Sequence, residues 1–281
     1  MVTSGFERRT RAGATYATLA LFAVYCLFPF LWMVDTALKP PGEVRSLNPT
    51  FWIVNPTLEN FRHVLTDGNF LAYFRNSVIV AGGATALSLM IAIFCGYALS
   101  RFPREPITRT VGGALLMSQM IPGVLLLAPI YILMRELGLL STYRALIIVY
   151  CTFAIPLCSF MLKGFFDGVP GELEDAAEMD GCSRFGFIYR ILLPLAAPGI
   201  LATALFCFVT AWNEFLFGYV LINDEARRTL TPGIMVFKGP HLTDWGALMA
   251  AAVLAVVPVA VFFVYLQRFL MEGLTTGAVK G

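Results

Sequence analysis

The chain has 281 residues, of which 58% are hydrophobic and 14% charged, with a formal net charge of +2. Soluble domains carry roughly a quarter charged residues, so an ordinary pair of soluble domains of this total length is excluded. Near-balanced charge and the lack of a basic cluster leave no footprint for nucleic acid.

The apolar residues gather into runs long enough to cross a bilayer, for which about 18 residues with few charges suffice. Six spans are predicted, at 14–34, 73–98, 111–134, 145–166, 196–222 and 247–270. Only helices and closed barrels satisfy their backbone polar groups in lipid. Runs of this length suit helices, because barrel strands are about ten residues long and alternate in polarity. The first span follows Arg8, Arg9 and Arg11 and continues to Val34 without a cleavage site, so it reads as an uncleaved anchor with a cytoplasmic N-terminus. Six crossings return the C-terminus to the cytoplasm. A small excess of Lys and Arg on the inner segments agrees, chiefly through Arg101, Arg104 and Arg109.

The stretch 39–70, with Pro40, Pro41, Pro49 and Pro56, reads as a polar outer loop without a core of its own. Proline also falls within spans, at Pro29, Pro122, Pro129, Pro156 and Pro258, where each removes a backbone donor. Cys26, Cys95, Cys151, Cys158 and Cys207 lie in spans and Cys182 in an inner loop, an arrangement that disfavours a disulfide framework. Cys151 and Cys158, seven apart, fit packing on one helix face. His63 and His241 are far apart, so no metal-ligand set is expected. No catalytic constellation is seen either.

The segment 169–198 carries the most information. Pro170 suits a first helical position, and Glu172, Glu174 and Asp175 favour the positive end of a helix. Leu173, Ala176, Ala177 and Asp180 are placed on one face by their spacing. Gly181 can end the helix in a left-handed conformation. Ser183 then caps a second helix with an apolar stripe of Phe185, Ile188, Tyr189 and Leu192, and Pro194 interrupts it. The pair Ala176 and Ala177 would let another surface approach the backbone. A hairpin lying on the membrane surface is the alternative, but anionic lipid heads repel its acidic first helix. In span five, Asn213 and Glu214 are costly within lipid. Glu214 lines a pore, braces a partner chain, or reaches water near the outer end of the span. Phe206, Phe208, Phe215 and Phe217 suit packing more than stacking on a solute.

This loop resembles that of binding-protein-dependent ABC importer permeases, whose pattern is Glu-Ala-Ala, three residues, Gly, nine residues, then Ile-x-Leu-Pro. Here Asp175, Ala176 and Ala177 are followed by Gly181 and then by Ile191, Leu192, Leu193 and Pro194, with Asp175 where the pattern has Glu. The likeness extends to Pro29 to Trp32, Ala37 to Pro40, Asn60 and Phe61, Ala211 to Phe215, and the tail from Leu266 to Gly281. It is closest to the carbohydrate type, resembling the second permease of maltose-type sugar transporters.

The resemblance implies an all-α integral membrane fold, one transmembrane domain over 1–281 with a cytoplasmic coupling loop at 167–195, in a bacterial inner membrane. It implies a heterodimer with a second permease, a dimer of ATP-binding subunits, and an extracytoplasmic solute-binding protein that delivers a sugar, oligosaccharide, polyol or glycerol phosphate. Glu174, Asp175, Ala176, Ala177, Asp180 and Gly181 would couple to the ATPase, and Asn213 and Glu214 would serve the pore or the permease interface. The tail 277–281 would lie near the ATPase. The chain has no phosphate-binding loop of the Gly-x4-Gly-Lys type, so ATP and Mg would sit on partner subunits and no cofactor on this chain. An ion-coupled secondary transporter is the alternative, and it leaves the loop unexplained. An integral membrane enzyme would need convergent reactive groups.

Overall fold

A computed structural model describes residues 5–277, except 47–49, 67, 240 and 241, with backbone only for 5–11 and 266–277. The expectations at Arg8, Arg9, Arg11, Pro49 and His241, and for the side chains of the tail from Leu266, lie outside the described residues.

Helices dominate. α1 (Gly5–Ala37) leads to α2 (Pro41–Val44), α3 (Glu59–Thr66) and the long α4 (Phe70–Arg101). Next come α5 (Pro106–Ser118), a 3-10 turn at Gly123–Leu126, α6 (Leu127–Glu136) and α7 (Tyr143–Asp167). α8 (Glu172–Met179) and α9 (Arg184–Phe187) precede a π-type turn at Ile188–Leu192, then α10 (Leu193–Leu195) and α11 (Ala197–Trp212). The chain continues through α12 (Leu216–Leu221), α13 (Leu230–Gly233), a 3-10 turn at Ile234–Phe237 and α14 (Trp245–Gly277). Among the described residues the β contact is an isolated bridge between Lys238 and Thr243.

Four helices are long and apolar enough to cross a membrane, at Ala12–Ala37, Phe70–Arg101, Tyr143–Asp167 and Trp245–Tyr265. The number becomes six if each of two bent pairs is one span. The first pair covers predicted span three; the second joins the end of the predicted loop, 184–195, to the first part of predicted span five. Pro106–Ser118 meets Gly123–Glu136 at 94°, and Arg184–Leu195 meets Ala197–Trp212 at 81°. The first break falls at Pro122, which lacks an N–H. The second falls at Ala196, between Pro194 and Pro198. Pro29, Pro156 and Pro258 stay inside unbroken helices. The predicted fifth span also ends early, because its helix stops at Trp212 and a new one starts at Leu216.

Two compact bodies are distinguished: Met1–Phe70 with Ile234–Val257, and Leu71–Gly233 with Pro258–Gly281. In the first, the 26-residue span of α1 measures about 39 Å at 1.5 Å per residue, enough for a hydrocarbon core of roughly 30 Å. Its apolar side chains, including Tyr16, Phe22, Tyr25 and Leu31, are exposed, so lipid or another protein must cover them. The stretch after it is more ordered than a polar loop. Asn60 is buried and its amide donates to the carbonyls of Ala37 and Lys39, both at 2.8 Å. Lys39 pairs with Asp35 at 2.5 Å, donates to the carbonyl of Thr50 at 2.6 Å, and lies over the Trp32 ring. One side chain therefore serves the carbonyls that α1 leaves unpaired where it ends.

The second body has two apolar clusters joined by α7. One gathers Ala92, Tyr97, Cys158, Leu162, Phe166, Ala177, Phe187 and Leu192. The other gathers Val80, Ala84, Leu146, Val149, Tyr150, Cys151, Phe217 and Leu221. Cys151 and Cys158 are both buried thiols, one in each cluster. Gly96 lets α4 and α7 touch, since a Cβ there would lie 2.9 Å from the Ser159 carbonyl oxygen. At the other end of α4, fully buried Asn76 donates to the carbonyls of Ala226 (2.9 Å) and Arg228 (2.8 Å) and accepts from the Tyr143 hydroxyl (2.7 Å). Ser77 accepts from the amide of Leu230 at 2.7 Å.

Replacing Asn76 with Leu keeps the volume and removes the partner of two carbonyls and a hydroxyl. Thermal unfolding in detergent should show a loss of about 2–3 kcal/mol, and a loss below about 0.5 kcal/mol would contradict the clamp.

Candidate functional site

The segment after α7 folds back on the second body. Its register is set by a pair of residues three apart on α8. Ala177 is buried in the apolar cluster that holds Cys158 and Phe166, with Val169 and Phe187. On the same face Glu174 accepts a hydrogen bond from the Tyr97 hydroxyl and an ion pair from Arg101 Nε at 3.1 Å. Arg101 Nη2 also donates to the carbonyl of Val169 at 3.0 Å. Leu173, Asp175, Ala176, Met179 and Asp180 are exposed, and Met179 is 88% exposed. Of the predicted face of Leu173, Ala176, Ala177 and Asp180, Ala177 is buried and the other three are exposed.

Helix α8 starts at Glu172, two positions beyond Pro170, with Gly171 at its N-cap. Asp180 closes it, and Gly181 follows at φ +78°. In this geometry the Cys182 amide returns to the Ala177 carbonyl at 2.9 Å. The Ser183 hydroxyl accepts from the Gly186 amide at 3.2 Å, as a cap. The second helix departs from its predicted stripe. Ile188 and Leu192 are buried, but Phe185 and Tyr189 are exposed and Phe187 is buried instead. A π-type turn follows at Ile188–Leu192, where the extra backbone per turn shifts the face on which Tyr189 lies. The exposed rings still meet Phe94 edge-on, at centroid distances of 6.1 and 6.4 Å.

Glu214 lies in the break between α11 and α12. Its carboxylate accepts from the amides of Phe217 (2.9 Å) and Gly218 (3.0 Å) and from the Tyr150 hydroxyl (2.7 Å). Its own carbonyl accepts from Thr231 Oγ1 at 2.5 Å. Negative charge at a helix N-terminus is stabilised by such donors. Glu214 therefore braces its own chain, while the adjacent Asn213 is exposed. A largely apolar cavity of about 230 Å³ adjoins it, lined by Phe153, Phe217, Thr210, Tyr150 and Cys207 among others. Among the described residues no group of three or more His, Cys, Asp or Glu is placed to hold a metal ion.

Residues 88–275 match the family model described as the binding-protein-dependent transport system inner membrane component. The chain belongs to this family. Among its relatives is the sulfoquinovosyl glycerol transport system permease protein SmoH of Agrobacterium fabrum, 36% identical over 95% of this chain and 93% of that one. The diacetylchitobiose uptake system permease protein DasC of Streptomyces coelicolor is 36% identical over 94% and 95%. The trehalose/maltose transport system permease protein MalG of Thermococcus litoralis is 35% identical over 93% and 94%. The fold is shared with a bacterial ABC transporter involved in the import of the acidic polysaccharide alginate, at a TM-score of 0.78 and 20% identity over 95% of this chain and 99% of that one. The MetNI methionine ABC transporter gives a TM-score of 0.56 at 20% identity over 76% and 98%.

In this permease the loop residues singled out from sequence fall into two groups. Glu174 and Ala177 face the chain's own core. Asp175, Ala176 and Asp180 face outward and Gly181 forms the turn. Asn213 and Glu214 are remote from both, at the far end of α11. Sequence reasoning missed Tyr97 and Arg101, which hold Glu174. The signal available for them was a tyrosine and an arginine four apart at the end of a span, one turn of helix.

Valine at Gly181 would force a β-branched residue to positive φ, at a cost of roughly 1–2 kcal/mol. Asparagine at the same position should cost less. Amide hydrogen exchange at Asp180 to Gly186 should speed up in Gly181→Val and stay near normal in Gly181→Asn; equal rates in all three proteins would contradict the turn.

Proposed function

We propose that this permease passes a carbohydrate or a related solute, such as an oligosaccharide, polyol or glycerol phosphate, across a bacterial inner membrane. The solute is delivered by an extracytoplasmic binding protein, and a separate dimer of subunits holds ATP and Mg and hydrolyses the nucleotide. The chain pairs with a second permease, and its N- and C-termini and the 167–195 loop face the cytoplasm. The outward face of α8 docks on an ATP-binding subunit.

One observation carries this reading: the exposed face of α8 is built as a contact, not as a solvated surface. Asp175 and Asp180 flank the small Ala176 and the almost fully exposed Met179. An apolar tip ringed by charge is the pattern of a protein contact. The opposite face is anchored internally, so a force on α8 is transmitted and not absorbed by flexing. Support for a sugar-like solute comes from relatives named for sulfoquinovosyl glycerol, diacetylchitobiose and trehalose/maltose transport. Ion coupling finds less support, since Glu214 is already committed to two amides and a hydroxyl of its own chain.

Arginine at Ala176 tests the docking face without touching the core. In cells carrying the complete transporter, uptake of 14C-labelled maltose, trehalose and glycerol 3-phosphate is compared with wild type. Ala176→Arg should insert normally, fail to co-purify with the ATP-binding subunit, and lose about tenfold or more of the uptake, as expected when 1.4 kcal/mol of contact is lost. Ala177→Arg should instead lower thermal stability, because it buries a charge. Normal uptake and association in Ala176→Arg would overturn the docking role.

A further inference from the structure

Helix α8 is eight residues long, too short to be stable alone in water, where about 12–15 residues are marginal. It joins α7 through Gly168, Val169, Pro170 and Gly171, a link with a glycine at each end. A push on the exposed face would rotate so short a helix about that link unless a second tie held it. The structure supplies one from α4. Tyr97 and Arg101 lie one turn apart and bond separate oxygens of Glu174, and the same guanidinium holds the Val169 carbonyl within the link. The ion pair is largely shielded, with side chains 13% and 18% exposed. Beside it, Asp167 at the end of α7 accepts from Ser100 of α4 at 2.7 Å and pairs with Lys163 at 2.5 Å.

We propose that Tyr97 and Arg101 are positioning residues of the coupling helix: through Glu174 they lock α8 to α4, so that displacement of α8 moves that span. This rests on the docking reading given above. The adjacent carboxylates Glu174 and Asp175 then divide the work, one facing inward to the span and the other outward to the partner. Neither Tyr97 nor Arg101 belongs to the outward face. Breaking the lock should therefore leave docking intact and disconnect ATP hydrolysis from solute movement.

The test uses the complete transporter in proteoliposomes with 14C-maltose and 14C-trehalose, measuring co-purification of the ATP-binding subunit, ATP hydrolysis, and sugar imported per ATP. Arg101→Glu and Glu174→Arg should each keep co-purification and hydrolysis while sugar imported per ATP falls by about tenfold. The double variant R101E/E174R, which restores opposite charges, should recover most of the ratio. Glu174→Gln preserves shape and should give a smaller fall, so it decides the matter if the charge reversals do not fold. A wild-type ratio in Glu174→Gln and in a folded single reversal overturns the lock. So does loss of co-purification in the single variants. Ala176→Arg, run alongside, separates the two readings: retained co-purification there sinks docking, whereas a wild-type ratio in the Glu174 variants sinks only the lock.

Discussion

At three places where the described chain leaves a helix, a polar side chain takes up the backbone groups set free there. Lipid offers no hydrogen bonds, so a broken helix in an apolar setting must find partners for its freed amides and carbonyls within protein. Asn60 takes the carbonyls of Ala37 and Lys39 at the end of α1. Asn76 takes those of Ala226 and Arg228. Glu214 takes the amides at the start of α12. Two of these three residues are buried, and each makes at least two bonds, which is what makes a non-helical connection tolerable there. Long helices contribute to this: α4 presents Asn76, and α7 presents the Tyr143 and Tyr150 hydroxyls that bond Asn76 and Glu214.

Helix α8 obeys the same logic in a wetter setting. Its inner edge combines a small apolar residue in the core with a carboxylate between a phenol and a guanidinium. Its outer edge keeps charge and a large thioether in the open. The motif resemblance treats its acidic and alanine residues as one contact surface, but a helix of this pitch places neighbours about 100° apart. Adjacent residues of the motif therefore serve different sides, and only the folded structure assigns which is which.

Much of the architecture was legible in the sequence because long apolar runs have few physical outcomes. The loop helix, the glycine turn and the Ser183 cap were legible because each rests on local chemistry within three or four residues. What escaped was non-local. Nothing in the pattern says that Asn60 meets Ala37, or that Arg101 meets Glu174. Proline alone did not mark the breaks either: Pro122 lies at one, whereas Pro29 and Pro156 sit within continuous helices. The exposure of Tyr189 goes with a π-type turn that has no signature in a 3.6-residue period. Ala177 looked like a docking residue because small size reads the same whether a partner or the chain's own core comes close.

The glycine that lets α4 rest on α7 has a mechanical corollary. With the Gly96 position pressed against the Ser159 carbonyl, these two rods leave no room for a side chain between them, since a Cβ there would lie 2.9 Å from backbone. The unbroken run of these two helices contrasts with the breaks at 119–122 and 196, where the axes turn by 94° and 81°.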